Sequence, residues 1–223
     1  MLRKETSLLA QQYPITVDFA RSLYENGGGG HDFDHVLRVT ALAERIAAAE
    51  SADVRVVRTA ALLHDIGESE GREDHHLRGA MKARALLAGE PEAFVEAVAH
   101  AIEAHRFRAE PAPATLEAQC LSDADKLDAI GAIGVARAYA YAGAHDTALW
   151  KLPWQEIASG QGDAVRSPDD LGEDYTPVHE FVYKLDRIPD RLYTATARVI
   201  AAERQRFMRD FFDRLNEEAM GKA

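Results

Sequence analysis

A chain of 223 residues with 47% hydrophobic content can bury one sizeable core. Its formal net charge of -11 and pI near 5.3 argue against a broad basic surface that holds nucleic acid by counterion release. The single Cys120 leaves no disulfide framework, no charged, apolar, small-residue leader pattern is visible in Met1 to Ala20, and no window approaches the run of about 20 apolar residues that a membrane span requires. The expectation is one soluble, cytoplasmic domain that meets neither nucleic acid nor a membrane, as monomer or homodimer.

Taken in order, the chain reads as helical almost throughout, because apolar residues recur at three- and four-residue spacing and alternating β-branched runs are scarce. After the Gly27 to Gly30 breaker and a candidate cap at Asp32, the stripe Val36, Val39, Leu42, Ala43 and Ile46 predicts a first amphipathic helix. Asp53 to His64 predicts the next, with Val54, Val57, Ala61 and Leu62 inward. Further helices are expected over His75 to Leu87, Pro91 to His105 with Pro91 in the first turn, Thr115 to Ala129, and Ile130 to Ala142. From Gly143 to Pro177 the periodicity weakens into a Gly-, Pro- and Asp-rich stretch that is too long for an ordinary connection and reads as a lid or insertion. A long final helix from about Asp190 to Met220 is expected to turn Leu192, Ala195, Val199, Ala202, Phe207, Phe211 and Leu215 inward.

Three phrases carry chemistry: His31 to Val39 (HDFDHVLRV), Ala61 to Glu68 (ALLHDIGE) and Leu121 to Gly131 (LSDADKLDAIG). They offer His35, His64, Asp65 and Asp125, two imidazoles and two carboxylates. Adjacent His64 and Asp65 diverge by about 100° on a regular helix, but at a helix end, with Gly67 just beyond, both side chains can converge. A mixed N/O set without thiolate suits Mn, Fe, Co, Ni, Zn or Mg and leaves positions for water and substrate, as a catalytic rather than a structural site does. An ion held this way acidifies water and polarises a phosphoryl oxygen, the two needs of phosphate-ester or anhydride hydrolysis. Glu68, three residues beyond Asp65, is the candidate proton carrier. Lys126 and Arg38 are candidates to offset phosphate charge, and His105 is a candidate site-lining residue.

Each residue also has a plainer reading. His64-Asp65 can be a capping pair, although a His-Asp pair straight after a deeply apolar run is costly to bury unless it is liganded or hydrogen-bonded. Asp123 and Asp128 compete with Asp125, since one of the three can merely cap a helix. Glu68 can be a solvated acid and Arg38 an ion-pair partner. His75, His76, His100 and His179 read as surface or core residues.

The ordered set His35, His64-Asp65, Asp125 resembles the HD superfamily of metal-dependent phosphohydrolases. The phrases at His31 to Val39, Ala101 to His105 and Asp123 to Arg137 are similar to its small stand-alone bacterial branch. So are His179-Glu180-Phe181 with Lys184-Leu185, and the Glu203 to Phe211 pattern. The resemblance implies an all-α fold, a single HD domain spanning 1–223 with a motif core at about 20–142, a loop or lid at 143–177 and C-terminal helices at 178–223. It implies one divalent ion, Mn, Mg or a similar metal, on His35, His64, Asp65 and Asp125, with an acidic residue near the metal assisting water attack. It further implies a small nucleotide or phosphate ester as substrate, in this branch a nucleoside triphosphate cut to monophosphate and pyrophosphate. Nucleotidase, phosphodiesterase and non-catalytic nucleotide-sensing roles are the alternatives. A single His-Asp core without a Gly-Tyr-Pro signature speaks against a cyclic di-nucleotide phosphodiesterase, and the lack of an attached kinase, TGS or sensor domain speaks against an alarmone role.

Overall fold

Among the described residues the chain forms ten α-helices and no strand, and seven of these helices answer the apolar stripes read from the sequence. The computed structural model describes residues 13–25, 33–71, 73–106, 111–160 and 174–223. The expected Gly27 to Gly30 breaker and the Asp32 cap lie outside them. In order, the helices are α1 (Val17–Glu25), α2 (Phe33–Glu50), α3 (Val54–Leu63), α4 (His75–Leu86), α5 (Glu92–Glu103), α6 (Leu116–Asp128), α7 (Gly131–Ala144), α8 (Trp154–Ala158), α9 (Pro177–Tyr183) and α10 (Ala195–Ala219). None is long and apolar enough to cross a membrane.

The chain divides into two compact units. The first comprises Met1–Lys126 with Tyr193–Ala197 and contains every candidate site residue. Its centre is α3. The Asp53 side chain caps this helix by accepting from the backbone N–H groups of Arg55 at 2.8 Å and Val56 at 3.3 Å. From Thr59 to His64 every residue is buried, the pattern of a helix packed on all sides. Helices α1, α2 and α5 pack against it, and α5 pairs in turn with α4. Arg84 of α4 ties that pair by bonding Glu96 at 2.8 Å and Glu103 at 2.8 Å. Helix α6 meets the ends of α3 at two places: Asp53 N donates to Glu117 Oε1 at 3.1 Å, and Asp125 approaches His64. Pro91 occupies the N-cap of α5, one position before the first turn expected of it.

The second unit, Leu127–Leu192 with Arg198–Ala223, is built on aromatic packing. Phe181 of α9 stacks on Phe212 of α10 at 4.6 Å between ring centres, and Trp154 Nε1 donates to Asp213 at 2.8 Å. The stretch from Gly143 to Pro177, read as loop, holds the end of α7 and the short α8, and residues 161–173 lie outside the described ones. The final helix differs from expectation in start and in phase. It begins at Ala195, not near Asp190, because Pro189–Arg191 forms a separate 3-10 turn and Thr194 Oγ1 accepts from Ala197 N at 3.3 Å. Its buried stripe is Ala197, Ile200, Ala201, Gln205, Met208 and Phe212, whereas Val199 is 73% and Phe207 47% exposed, Ala195 and Ala202 are exposed and Phe211 and Leu215 only half-buried. The expected and observed faces are offset in phase. The true one includes small residues and an amide, Gln205, whose Nε2 donates to Leu185 O at 2.6 Å.

Candidate metal centre

The end of α3 makes the site. Leu63 is its last helical residue, and the chain then turns through His64 to Gly67 before the 3-10 turn Glu68–Glu70. The loosened turn lets His64 and Asp65 meet, with Nε2 of His64 lying 3.1 Å from Oδ2 of Asp65. Tyr24 of α1 buttresses the turn from behind. Its hydroxyl donates to Leu62 O at 3.2 Å and accepts from Asp65 N at 3.3 Å. Burial and the Asp65 charge raise the Tyr24 pKa well above that of an ordinary phenol, so it stays protonated.

His64 is fully buried, and its Nδ1 lies 2.8 Å from Ala61 O. A carbonyl only accepts, so Nδ1 carries the proton, and in the neutral ring Nε2 presents a lone pair. That Nε2 is buried and makes no well-aligned hydrogen bond, its near neighbour being Asp65 Oδ2 at 3.1 Å. It faces His35 of α2, whose Nε2 lies 3.7 Å from Asp65 Oδ2 and 3.4 Å from Asp125 Oδ1. Ligand atoms of His35, His64 and Asp125 fall within 4.8 Å of one another. A buried imidazole lone pair aimed among carboxylates is costly unless a proton or a cation sits there, and the donor set fits a divalent metal.

Asp65 faces two ways. Oδ2 points to His35 and His64, while Oδ1 lies 3.4 Å from His75 Nε2 and 3.5 Å from His105 Nε2. Those two imidazoles approach each other at 3.4 Å. Two further overlapping donor groups result, His64-Asp65-His105 and Asp65-Glu68-His75. In the metal-free site, burial opposes the Asp65 charge, yet His64 and the contacts from His105, His64 and His75 hold its carboxyl well below the usual carboxylate range. Burial opposes Asp125 as well, and the contact with His35 together with the charges of His64, His105 and His35 lowers it. Burial also works against charge on His64, but Asp65 outweighs it and raises the imidazole. The cluster therefore gathers carboxylates held in their charged form among imidazoles, a setting in which a bound cation would displace protons.

The three competing aspartates separate cleanly. Asp125 joins the cluster. Asp123 accepts from Tyr193 N at 3.0 Å, Thr194 N at 2.7 Å and Thr194 Oγ1 at 2.8 Å, and Asp128 meets Arg137 at 3.3 Å. Glu68 lies beside Asp65 and His75. Lys126 is folded back along α6. Its Nζ donates to Ser122 O at 3.1 Å and Oγ at 2.5 Å and sits 5.2 Å from the Tyr193 ring centre. Arg38 is half-buried on α2, one turn beyond His35. His105 is 2% exposed, with Nδ1 2.6 Å from Ile102 O, and Ser122 Oγ donates to its carbonyl at 3.3 Å. His75 is the residue sequence reasoning passed over. It opens α4 and is buried against Asp65, while His100 accepts from Ala114 N and Nδ1 of His179 caps its own helix. A histidine at the first position of a helix that follows the His-Asp turn was the available signal.

The HD domain family model matches residues 32–130. Over 208 residues the chain is 31% identical to the protein YpgQ of Bacillus subtilis, with 91% of each covered. The crystal structure of Bacillus subtilis YpgQ in complex with ADP aligns with a TM-score of 0.67 at 30% identity, over 91% of this chain and 94% of that one. A crystal structure of an HD-superfamily hydrolase from Bacillus thuringiensis aligns with a TM-score of 0.68 at 26% identity, over 91% and 93%.

Proposed function

The chain belongs to the HD superfamily and is a metal-dependent phosphohydrolase, and from that premise we propose that it hydrolyses a nucleoside triphosphate to the monophosphate and pyrophosphate. The observation that carries the reading is the convergence of His35, His64, Asp65 and Asp125 around the buried Nε2 of His64. These four residues would hold one divalent ion, Mn or Mg in the first instance. Bound there, the ion would supply Lewis-acid polarisation of a phosphoryl oxygen and a lowered pKa for water.

The protein's own groups do the rest. Glu68 takes the proton from the attacking water as its oxygen bonds to the α-phosphorus and the bond to the α,β-bridging oxygen breaks. Pyrophosphate leaves with the electron pair. Lys126 and Arg38 offset the charge that develops on the phosphoryl oxygens, and the buried His105 lines the site beside Asp65 and limits the water around it. That YpgQ has been crystallised with ADP supports a nucleotide as the ligand class.

The test is product analysis after metal-stripped protein is given Mn, Mg, Co or Ni with a panel of nucleoside tri-, di- and monophosphates and bis(p-nitrophenyl) phosphate. Pyrophosphate and monophosphate in metal-dependent amounts are expected. Inorganic phosphate alone would replace the proposal with a phosphomonoesterase, and cleavage of the diester alone with a phosphodiesterase. Ligand-induced thermal stabilisation without product would replace it with a nucleotide sensor.

A further inference from the structure

The turn that carries Asp65 and Glu68 is fastened to α4 by a second set of contacts that take no part in holding the cluster. Gly67 lies so close to α4 that a Cβ there would stand 2.1 Å from His75 O and 2.8 Å from Gly79 N, and a Cβ on Gly79 would stand 3.2 Å from His64 O. Backbone meets backbone at this point. Two basic side chains one turn apart on α4 then reach over the turn. Arg78 Nε donates to Gly67 O at 3.3 Å, and its guanidinium also bonds Gly71 O. Lys82 Nζ donates to Ile66 O at 3.1 Å and pairs with Glu70 at 2.8 Å. The carbonyls engaged, Ile66, Gly67 and Gly71, bracket Glu68.

We propose that Arg78 and Lys82 are positioning residues that lock the Ile66–Gly71 turn onto α4 and thereby hold the Glu68 carboxylate in register with Asp65 and His75. The inference rests on the phosphohydrolase reading and on Glu68 as its proton carrier. A 3-10 turn has few internal hydrogen bonds to keep its shape, and here cationic donors hold the carbonyls of Ile66 and Gly67 just before it and of Gly71 just after it. Arg78 suits the task because its planar fork spans two carbonyls that a lysine reaches only one at a time. The metal ligands are held otherwise: His64 by Ala61 O, Asp65 by Tyr24, and Asp125 by its own helix. Loosening the clamp therefore displaces Glu68 while the ligand set stays.

The experiment uses the full chain with Arg78→Ala, Arg78→Lys and Lys82→Met, each in the wild-type and Glu68→Gln backgrounds. Hydrogen exchange of the metal-free protein reads the clamp without turnover. Amides of 66–71 in Arg78→Ala should exchange at least about tenfold faster while those of α5 are unchanged, and Mn affinity should stay within about threefold of wild type. In steady state Arg78→Ala should lower kcat at least about tenfold with little change in KM, Arg78→Lys should recover part of the loss, and neither variant should lower kcat further in the Glu68→Gln background. Unchanged exchange at 66–71, losses that add to Glu68→Gln, or Mn affinity falling in parallel with kcat would each overturn the proposal. Absence of turnover by wild type on every phosphate compound would overturn the functional reading instead, and the exchange measurement would then decide the clamp alone.

Discussion

His64 and His105 are held in the same way: each sets Nδ1 against the carbonyl three residues before it, and their rings meet edge to face with centres 5.1 Å apart. The shared contact orients both rings so that their Nε2 atoms turn toward Asp65, one to each carboxylate oxygen. A single carboxylate thus organises imidazoles from the end of α3, from the end of α5 and, through His35 and His75, from α2 and α4. Second-site hydrogen bonds of this kind orient metal ligands before the ion arrives.

Asp65→Ala is accordingly expected to abolish metal binding, by at least about 100-fold in affinity, and turnover with it, while far-UV circular dichroism retains the helical signal. Mn titration followed by calorimetry checks the first part. An active Asp65→Ala variant would remove the mechanism.

Asp123 and Asp125 sit two residues apart on α6 and should fail differently. Asp125→Asn is expected to weaken Mn binding with a small change in melting temperature. Asp123→Asn leaves a buried group with fewer acceptor sites for Tyr193 N, Thr194 N and Thr194 Oγ1, and should cost about 1–3 kcal/mol of stability with Mn stoichiometry intact. Denaturant unfolding and metal analysis of the two purified variants separate the cases, and the reverse pattern would exchange their roles.

Most helix positions, and the residues that converge in the candidate cluster, were legible in the sequence because both rest on local signals: apolar spacing, the Asp53 cap, and a His-Asp pair at the end of an apolar run. What was not legible depended on partners distant in sequence. Nothing near Asp123 marks it as the acceptor for residues 70 and 71 positions later. His75 looks like one of several scattered histidines until α4 packs on α5. Tyr24 lies 41 residues from the Asp65 amide it supports, on a helix the apolar pattern did not single out. The face of α10 was misjudged in phase because polar Gln205 is buried on the true face while apolar Val199 and Phe207 are exposed.

Proton linkage at the site has a definite direction. Asp65 is depressed, so its contribution to stability is present above the unfolded carboxylate value of about 3.9 and is lost as pH falls through the folded value. His64 is raised, so its contribution is present below the unfolded imidazole value of about 6.5 and is lost as pH rises through the folded value. In the metal-free protein the pair therefore stabilises most between about pH 4 and 6.5. A metal must displace the His64 proton, so Mn affinity and the Mn-induced rise in Tm should both increase as pH climbs through the raised His64 value. Melting curves with and without Mn from pH 5 to about 8.5 test this, and a Mn effect independent of pH would contradict it.

Gly67 and Gly89 offer a paired stability test. A methyl at Gly67 meets the backbone of α4 at 2.1 Å, whereas one at Gly89 meets nothing within 4 Å. Gly67→Ala should cost about 1–3 kcal/mol or more through forced backbone shifts, and Gly89→Ala should be neutral or stabilising by up to about 1 kcal/mol. Chemical denaturation measures both, and equal effects would contradict the close approach of turn and helix.

The Asp123 acceptor has a further consequence for how the site comes into being. The chain leaves the first unit after Lys126 and returns to it at Tyr193, where Asp123 and, through Thr196 N at 2.6 Å, Glu50 receive it. The helix bearing Asp125, the last of the candidate metal ligands, is therefore tied to residues made some 70 positions afterwards. Bringing such remote positions together requires a long loop to close before its contacts reward it. During synthesis the four candidate ligands all leave the ribosome well before the residues that fasten α6, so the cluster they form is expected to be completed late, when the distal segment has come back.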